Sequence, residues 1–243
     1  MDKIKCGTQI RPILFTTDMV HGLMDERKFQ TRRLVKGVAL EWLRECGFDA
    51  DYVAHPDNHM CPYGNPGDIL YVRETFQYYN KNEQLAVLYR ADAGAQEILE
   101  TFHDPKWRPN IFMPKKLARI WLRIESRHIE PLQCISEADA IDEGIQPLLM
   151  SSAQFAQYGR LYKNYEKQGD GIFNEGCQPV ESFRTLFSSI HSKEMWNADP
   201  WVWVIKFSIL LDLTKPLPDG ATFDAETLTY SFTTGKKSVS IKL

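Results

Sequence analysis

The chain has 243 residues, of which 43% are hydrophobic and 12% are aromatic, and its formal net charge is −3. This composition excludes an intrinsically disordered chain, and the length allows one large domain or one domain with an appendage. The charge excludes a protein that is basic throughout, but residues 1–36 carry a local +4 and residues 105–128 a local +6. We therefore expect a basic face on an acidic body, which suits a polyanionic partner.

The cysteines and the hydropathy of the sequence indicate where in the cell the protein is expected. The five cysteines are odd in number and scattered, and the polar N-terminus shows no signal-peptide pattern, so we predict reduced thiols and a cytoplasmic location. No apolar run approaches the roughly 18 residues of a membrane span. His55, His59 and Cys61 lack a fourth ligand at a spacing typical of zinc sites, so we predict neither a metal nor a cofactor.

The first predicted elements are a buried strand from Arg11 to Phe15 and a helix that begins at Thr17. An extended segment is predicted from Thr31 to Val35. An amphipathic helix follows from Val38 to Cys46, and residues 47–67 are predicted to form a polar loop.

The middle of the chain mixes strands and helices. Alternation predicts strands at Ile69–Glu74, Leu85–Arg90, Arg119–Glu130 and Trp201–Phe207. Helices are predicted at Ala91–Phe102, Ser136–Gly144, around Ala153–Glu166 and from Pro179 through Ile190. Residues 212–243, with Pro216, Pro218 and Gly220, are predicted to be a linker and a β-hairpin.

These elements predict an α+β fold, a mixed β-barrel of about five to six strands with flanking helices. The aromatic stripe of Trp201–Phe207 is typical of a closing barrel strand. We predict one domain over residues 1–211, with a loop and helical insertion around 146–178, and a separate extension over 212–243.

A cluster of polar side chains follows the first helix. If the segment after Lys28 is extended, Thr31 and Arg33 share one face and Arg32 occupies the other. An amine, a hydroxyl and guanidinium groups then lie at the mouth of a strand, which suits a phosphate or a polar base edge. The alternative is a solvated basic segment at a helix C-terminus.

The order of several short segments resembles the ASCH domain, of the PUA-like superfamily, in its phage and prophage branch. The segments are Glu26–Arg33, Cys61–Gly64, Gly67–Glu74, Met113–Arg119, Ile135–Ile145 and Asp199–Val204, within residues 10–208. Two positions depart from the family pattern: Glu26 stands where the family has glycine, and Phe29 where it has threonine.

The resemblance implies a PUA-like barrel whose cleft, lined by Lys28–Arg33, binds nucleic acid or a single modified base. The residues implied in nucleic-acid binding are Arg32, Arg33, Arg73, Glu74, Lys115, Lys116 and Arg119. Arginines also recur along one face of the predicted strand Arg119–Glu130, at Arg119, Arg123 and Arg127, where they either track a nucleic-acid backbone or decorate a solvated sheet.

The resemblance extends to a small bacterial ASCH enzyme that removes the acetyl group from N4-acetylcytidine. It implies Lys28, Thr31 and Glu143 as catalytic residues. A hydroxyl needs a nearby base to act as a nucleophile, and a desolvated lysine can be that base. The alternative for Glu143 is a surface position on a capped helix.

Three functions therefore remain open. The first is binding of RNA, DNA or a modified nucleoside, and the second is an amidohydrolase that acts on N4-acylated cytosine nucleosides. The third is a ribonuclease, or a phage structural or host-interaction protein whose partner contacts the extension at 212–243.

Overall fold

The segments with helical spacing of apolar residues form helices, and the segments with alternating apolar residues form strands. The computed structural model describes residues 8–81, 84–103, 105–166, 176–217, 221–224, 227–234 and 237–242. Over these residues it has eight α-helices and twelve strands, which confirms the α+β class. The helices are α1 (Thr17–Met24), α2 (Val38–Arg44), α3 (Ala50–Ala54), α4 (Ala95–Glu100), α5 (Glu137–Asp142), α6 (Ser152–Tyr158), α7 (Pro179–Ile190) and α8 (Lys193–Asn197).

The strands differ widely in length, from two residues to twelve. They are β1 (Ile10–Leu14), β2 (Gln30–Leu34), β3 (Ile69–Arg73), β4 (Phe76–Lys81), β5 (Gln84–Tyr89), β6 (Ile120–Pro131), β7 (Tyr162–Lys163), β8 (Gly176–Cys177), β9 (Trp201–Asp212), β10 (Thr222–Asp224), β11 (Thr229–Thr234) and β12 (Lys237–Lys242). None of the helices in the described part of the chain is long and apolar enough to cross a membrane.

Contacts divide the chain into two units, and the first comprises residues 1–24, 63–125 and 208–243. Within it, β1 pairs in parallel with β3, and β3 pairs antiparallel with the start of β6. The end of β9 lies beside the start of β6 in the sheet. Just beyond these two strand ends, the Leu213 amide donates to the Arg119 carbonyl at 2.8 Å. Its core packs Tyr71 and Phe76 around the fully buried Trp121.

The C-terminal strands belong to this first unit. β10, β11 and β12 form an antiparallel sheet, which agrees with the predicted hairpin and adds one strand to it. Tyr230 is buried in the same hydrophobic cluster as Tyr71 and Trp121, and Phe223 packs against that cluster. The predicted domain bounds, 1–211 and 212–243, stay a prediction.

The second unit comprises residues 25–62 and 126–207. Here β2 pairs antiparallel with the start of β9, and β9 lies beside the end of β6. Helices α5 and α7 pack on this sheet because Ala140, Phe183 and Phe187 bury their side chains against Val202 and Val204. The apolar positions of α7 recur at helical spacing, which places them on one face.

Several sequence predictions are corrected. Residues 47–67 are not all loop: α3 forms because the carboxylate of Asp49 accepts the amide proton of Tyr52 at 2.6 Å. The helices predicted at Ala91–Phe102 and Ala153–Glu166 are shorter, since α4 spans Ala95–Glu100 and α6 ends at Tyr158 with Gly159 as its C-cap. The sequence prediction also missed β4. Residues 167–175 of the predicted insertion lie outside the described residues.

The sheets that the structure describes do not close into the predicted barrel. In the first unit β1 pairs with β3 alone, and in the second unit β2 pairs with β9 alone. Both are therefore edge strands, and a closed barrel has none.

Candidate functional site

The predicted site residues fall into two groups, one in each unit. Those in the second unit are Lys28, Thr31, Arg32, Arg33 and Glu143, and those in the first are Arg73, Glu74, Lys115, Lys116 and Arg119.

Helix α5 brings its C-terminal end to the segment before β2. The helix starts at Ser136, whose hydroxyl accepts the Asp139 amide proton at 3.1 Å, as predicted from the capping pattern. It ends at Asp142 with Glu143 as its C-cap, and the backbone amide of Phe29 donates to the Asp142 carbonyl at 2.8 Å. Lys28 and Glu143, 115 residues apart in the sequence, thereby form an isolated antiparallel bridge.

The side chain of Lys28 is buried against Glu143. Its Nζ donates to the Glu143 carbonyl at 2.7 Å and to Oε2 of the same residue at 3.1 Å. The side chains are 2% and 5% exposed. Burial lowers the pKa of Lys28 below its ordinary value, and the attraction to Glu143 offsets part of this shift. A lowered pKa increases the share of the neutral amine, which is the form that can accept a proton.

Arg32 lies in the same cluster and not at the surface. Its guanidinium donates to Glu143 Oε1 at 3.2 Å and to Glu130 Oε1 at 2.6 Å, and its side chain is 1% exposed. Asp139 Oδ2 lies 3.7 Å away. These carboxylates neutralise the positive charge of Arg32, which a phosphate would need for binding.

The cluster extends outward through residues that the sequence analysis missed. His128 Nε2 lies 3.3 Å from Glu130 Oε2, and Lys206 Nζ lies 3.0 Å from Asp139 Oδ1. The side chains of His128 and Lys206 are 44% and 43% exposed, so the cluster reaches the surface at this edge. The alternation of β6 carries a usable signal, since it places His128 and Glu130 on one face.

Thr31 does not join the cluster. Successive side chains of a strand point to opposite faces, so Thr31 faces away from Arg32 and its partner Glu143. Thr31 lies opposite Ile205, and Arg33 lies opposite Trp203. The structure therefore brings Lys28 and Glu143 together and leaves Thr31, which is 1% exposed, on the other side of β2.

In the first unit, Arg119 and Glu74 bind each other. Two parallel hydrogen bonds of 2.7 and 2.8 Å join the guanidinium to the Glu74 carboxylate, and a third of 2.5 Å reaches Asp92. The guanidinium carbon also lies 4.0 Å from the centroid of the Tyr89 ring. Burial lowers the pKa of Arg119, but the bonds to Glu74 and Asp92 outweigh burial and hold it above its ordinary value.

Two further predicted arginines contact aromatic rings. The guanidinium of Arg73 lies 5.7 Å from the Tyr71 ring, and that of Arg127 lies 5.2 Å from the Trp203 ring. Arg127 also donates to the Ala54 carbonyl at 2.6 Å. Arg119 and Arg127 thus bind protein groups, which disfavours the interpretation of this arginine row as a track for a nucleic-acid backbone.

Lys115 and Lys116 lie in a different setting, a turn over residues 109–117 that we call the basic turn. Two 3-10 segments, Asn110–Phe112 and Lys115–Leu117, follow Pro109 and Pro114. Residues 105–119 hold five Lys and Arg and no Asp or Glu. Lys116 is exposed, while Lys115 is half-buried with its Nζ 5.6 Å from the Trp121 ring.

The basic turn also exposes two large apolar side chains, which the sequence analysis missed. Phe112 is 70% exposed and Ile111 is 56% exposed. The turn is nevertheless anchored, because Met113 is fully buried and the side-chain Nδ2 of Asn110 donates to the Phe15 carbonyl at 2.9 Å. A phenyl ring is thus held outside the core beside exposed positive charge.

Among the described residues, no group of three or more acidic, histidine or cysteine side chains is arranged to hold a metal ion. Comparison with known proteins found no matching family model, no similar curated protein and no similar solved structure. The resemblance to the ASCH domain therefore stays a prediction.

Proposed function

We propose that the protein binds single-stranded nucleic acid through the basic turn. The observation that carries the proposal is the exposed ring of Phe112 in a turn that also holds Lys115 and the exposed Lys116 and has no Asp or Glu. Proteins that bind single strands combine such positive charge with aromatic rings on which bases stack. The resemblance to the ASCH domain supports the same class of ligand.

The partners of the other predicted cations favour this turn over the buried cluster. Arg32 and Arg119 each contact carboxylates, so a phosphate would have to displace an internal ion pair. Lys116 is exposed, so it can reach a phosphate without such a loss.

The test is a titration of fluorescein-labelled single-stranded DNA and RNA with the wild-type protein and with Phe112→Ala. Base stacking on an aromatic ring contributes about 1–3 kcal/mol, so the variant should bind roughly 5- to 150-fold more weakly. Phe155→Ala is the matched control, because Phe155 is 49% exposed and lies on α6 of the other unit. Equal affinity of wild type and Phe112→Ala would contradict the proposal.

A second candidate is hydrolysis of N4-acylated cytosine nucleosides, and the contact between Lys28 and Glu143 favours it specifically. In its neutral form, which the lowered pKa makes more accessible, Lys28 would take a proton from a water molecule as the water oxygen bonds to the amide carbonyl carbon. The carbon–nitrogen bond would then break as the proton passes to the N4 amine, releasing the carboxylic acid. Glu143 would orient the lysine.

Two variants test this candidate against release of cytidine from N4-acetylcytidine. Lys28→Met should abolish turnover because it removes the base. Thr31→Val should keep most of it, because Thr31 faces the other side of β2. No cytidine release by the wild-type protein, or loss of turnover in Thr31→Val, would contradict this mechanism.

A further inference from the structure

The second unit carries a group of three aromatic side chains outside its core, which we call the aromatic patch: Trp42, Phe48 and Tyr52. The Trp42 ring centroid lies 5.1 Å from that of Phe48 and 6.0 Å from that of Tyr52, and the Phe48 and Tyr52 centroids are 5.0 Å apart. Each ring therefore contacts the other two. Phe48 is 42% exposed and Tyr52 is 47% exposed. This group shares no residue with the basic turn or with the buried cluster of Lys28, Arg32 and Glu143.

Local structure explains why the rings meet. Gly47 follows α2 with φ +70, a left-handed conformation that reverses the chain at little cost for glycine. The amide of Phe48 then donates to the Trp42 carbonyl at 3.1 Å. Asp49 caps α3, which sets Tyr52 on the first turn of that helix. Val38, one helical turn before Trp42, is 52% exposed and widens the apolar surface.

The segment that carries the aromatic patch, residues 38–52, holds charges mostly of one sign, and Arg127 of β6 donates to the Ala54 carbonyl at the end of α3. Four exposed carboxylates, which we call the acidic rim, belong to Glu41, Glu45, Asp49 and Asp51. Residues 38–52 hold one cation, Arg44. Arg44 follows Trp42 by two positions, about 200° around a helix, so it occupies the opposite face of α2.

The combination selects a class of ligand. The face of an aromatic ring attracts cations, and guanidinium groups stack on rings because they are planar and weakly hydrated. Carboxylates beside the rings complete such a site with charge-assisted hydrogen bonds. The acidic rim would repel a polyanion. A purely apolar partner would remove the rim carboxylates from water without giving them hydrogen-bond donors.

We propose that the aromatic patch and its acidic rim bind an arginine-containing segment of a protein partner. One or more guanidinium groups stack on Phe48 and Tyr52, and the rim carboxylates accept their hydrogen bonds. This site is independent of the nucleic-acid proposal, because it uses neither the residues nor the charge of the basic turn.

The experiment measures the anisotropy of a fluorescein-labelled peptide of alternating glycine and arginine, titrated with the full chain. The same peptide with lysine in place of arginine is the chemical control. We expect the arginine peptide to bind more tightly than the lysine peptide. Tyr52→Ala should weaken its binding roughly 2- to 30-fold, the range that loss of a cation–π contact gives.

Two more variants separate the site from general attraction to an acidic protein. Asp51→Lys should also weaken binding, and it keeps the test informative should Tyr52→Ala disturb α3. Phe155→Ala, which removes a ring of similar exposure elsewhere in the same unit, should change nothing. The proposal is overturned if the wild-type protein does not bind the arginine peptide, or if Tyr52→Ala and Asp51→Lys bind it as the wild type does.

Discussion

Glu143 contacts two buried cations at once, since its carboxylate accepts from both Lys28 and Arg32. Removing this charge leaves Lys28 buried without its carboxylate, whereas removing Lys28 leaves Glu143 paired with Arg32. Breaking a buried pair so that one charge stays uncompensated costs about 3–5 kcal/mol, while an apolar replacement can be nearly neutral.

We therefore predict that Glu143→Gln lowers the free energy of unfolding by about 3–5 kcal/mol, and that Lys28→Met lowers it by much less. Urea unfolding of the two variants beside the wild type measures both losses. A loss in Lys28→Met equal to that in Glu143→Gln would show that Glu143 is not the group that balances this cluster.

The same lysine predicts a dependence of stability on pH. Its pKa in the folded protein lies below the ordinary value of 10.5, so between these two values the unfolded chain binds more protons. The free energy of unfolding should therefore rise with pH across that range. The rise should be absent in Lys28→Met and present in the exposed control Lys193→Met, in urea unfolding at a series of alkaline pH values. Parallel profiles for wild type and Lys28→Met would contradict the lowered pKa.

Glu26 stands where the ASCH domain, which the sequence resembles, has glycine. Its φ is +54, a left-handed conformation that glycine adopts easily and a glutamate adopts at a cost. We predict that Glu26→Gly is more stable than Glu26→Ala by about 1 kcal/mol, as measured by urea unfolding. The alanine variant controls for loss of the side chain, so equal stabilities would show that the backbone conformation carries no penalty.

At the scale of an element, the end of α5 depends on Gly144. Its φ is +88, and a Cβ at this position would lie 2.8 Å from the Cβ of Lys28. The close approach of the two backbones needs the missing side chain as well as the unusual φ. The bridge between Lys28 and Glu143 therefore depends on glycine at the next position.

We predict that Gly144→Ala destabilises the protein by about 2–4 kcal/mol, from the left-handed conformation and the overlap together. Gly159→Ala is the matched control, because Gly159 has φ +70 and no atom within 4 Å of the added Cβ. The control should lose about 1–2 kcal/mol. Equal losses of stability in Gly144→Ala and Gly159→Ala, measured by thermal or urea unfolding, would show that the overlap with Lys28 does not contribute.

Elements with a local signal could be predicted from the sequence. The alternation of β6 and β9 and the cap at Ser136 are signals of this kind, because they depend on neighbouring residues. Helix α3 within the loop predicted at 47–67 was missed because the cap at Asp49 precedes only five helical residues, too few for a periodic pattern. β4 was missed because its own sequence has no clear alternation of apolar and polar residues. It is held in place by antiparallel pairing with β5.

At the scale of the whole molecule, each unit is assembled from separated segments of the chain. The resemblance suggested both Lys28 and Glu143, but composition and spacing could not show that Arg32 binds Glu130 and Glu143. Nor could they distinguish the exposed Lys116 from the ion-paired Arg119, since both lie in one basic stretch. Charge in a sequence predicts a basic face, whereas pairing in the fold decides which cations remain for a ligand.

If the basic turn binds nucleic acid, the affinity should fall with salt concentration in a way that depends on Lys116. The measurement is the affinity for a single-stranded oligonucleotide at several salt concentrations, for wild type, Lys116→Gln and the control Lys193→Gln, which removes a 66% exposed lysine elsewhere. If Lys116 contacts a phosphate, its loss should reduce the slope of log affinity against log salt by about 0.7. The control should keep the wild-type slope. Identical slopes in all three proteins, or no binding by the wild type, would contradict the claim.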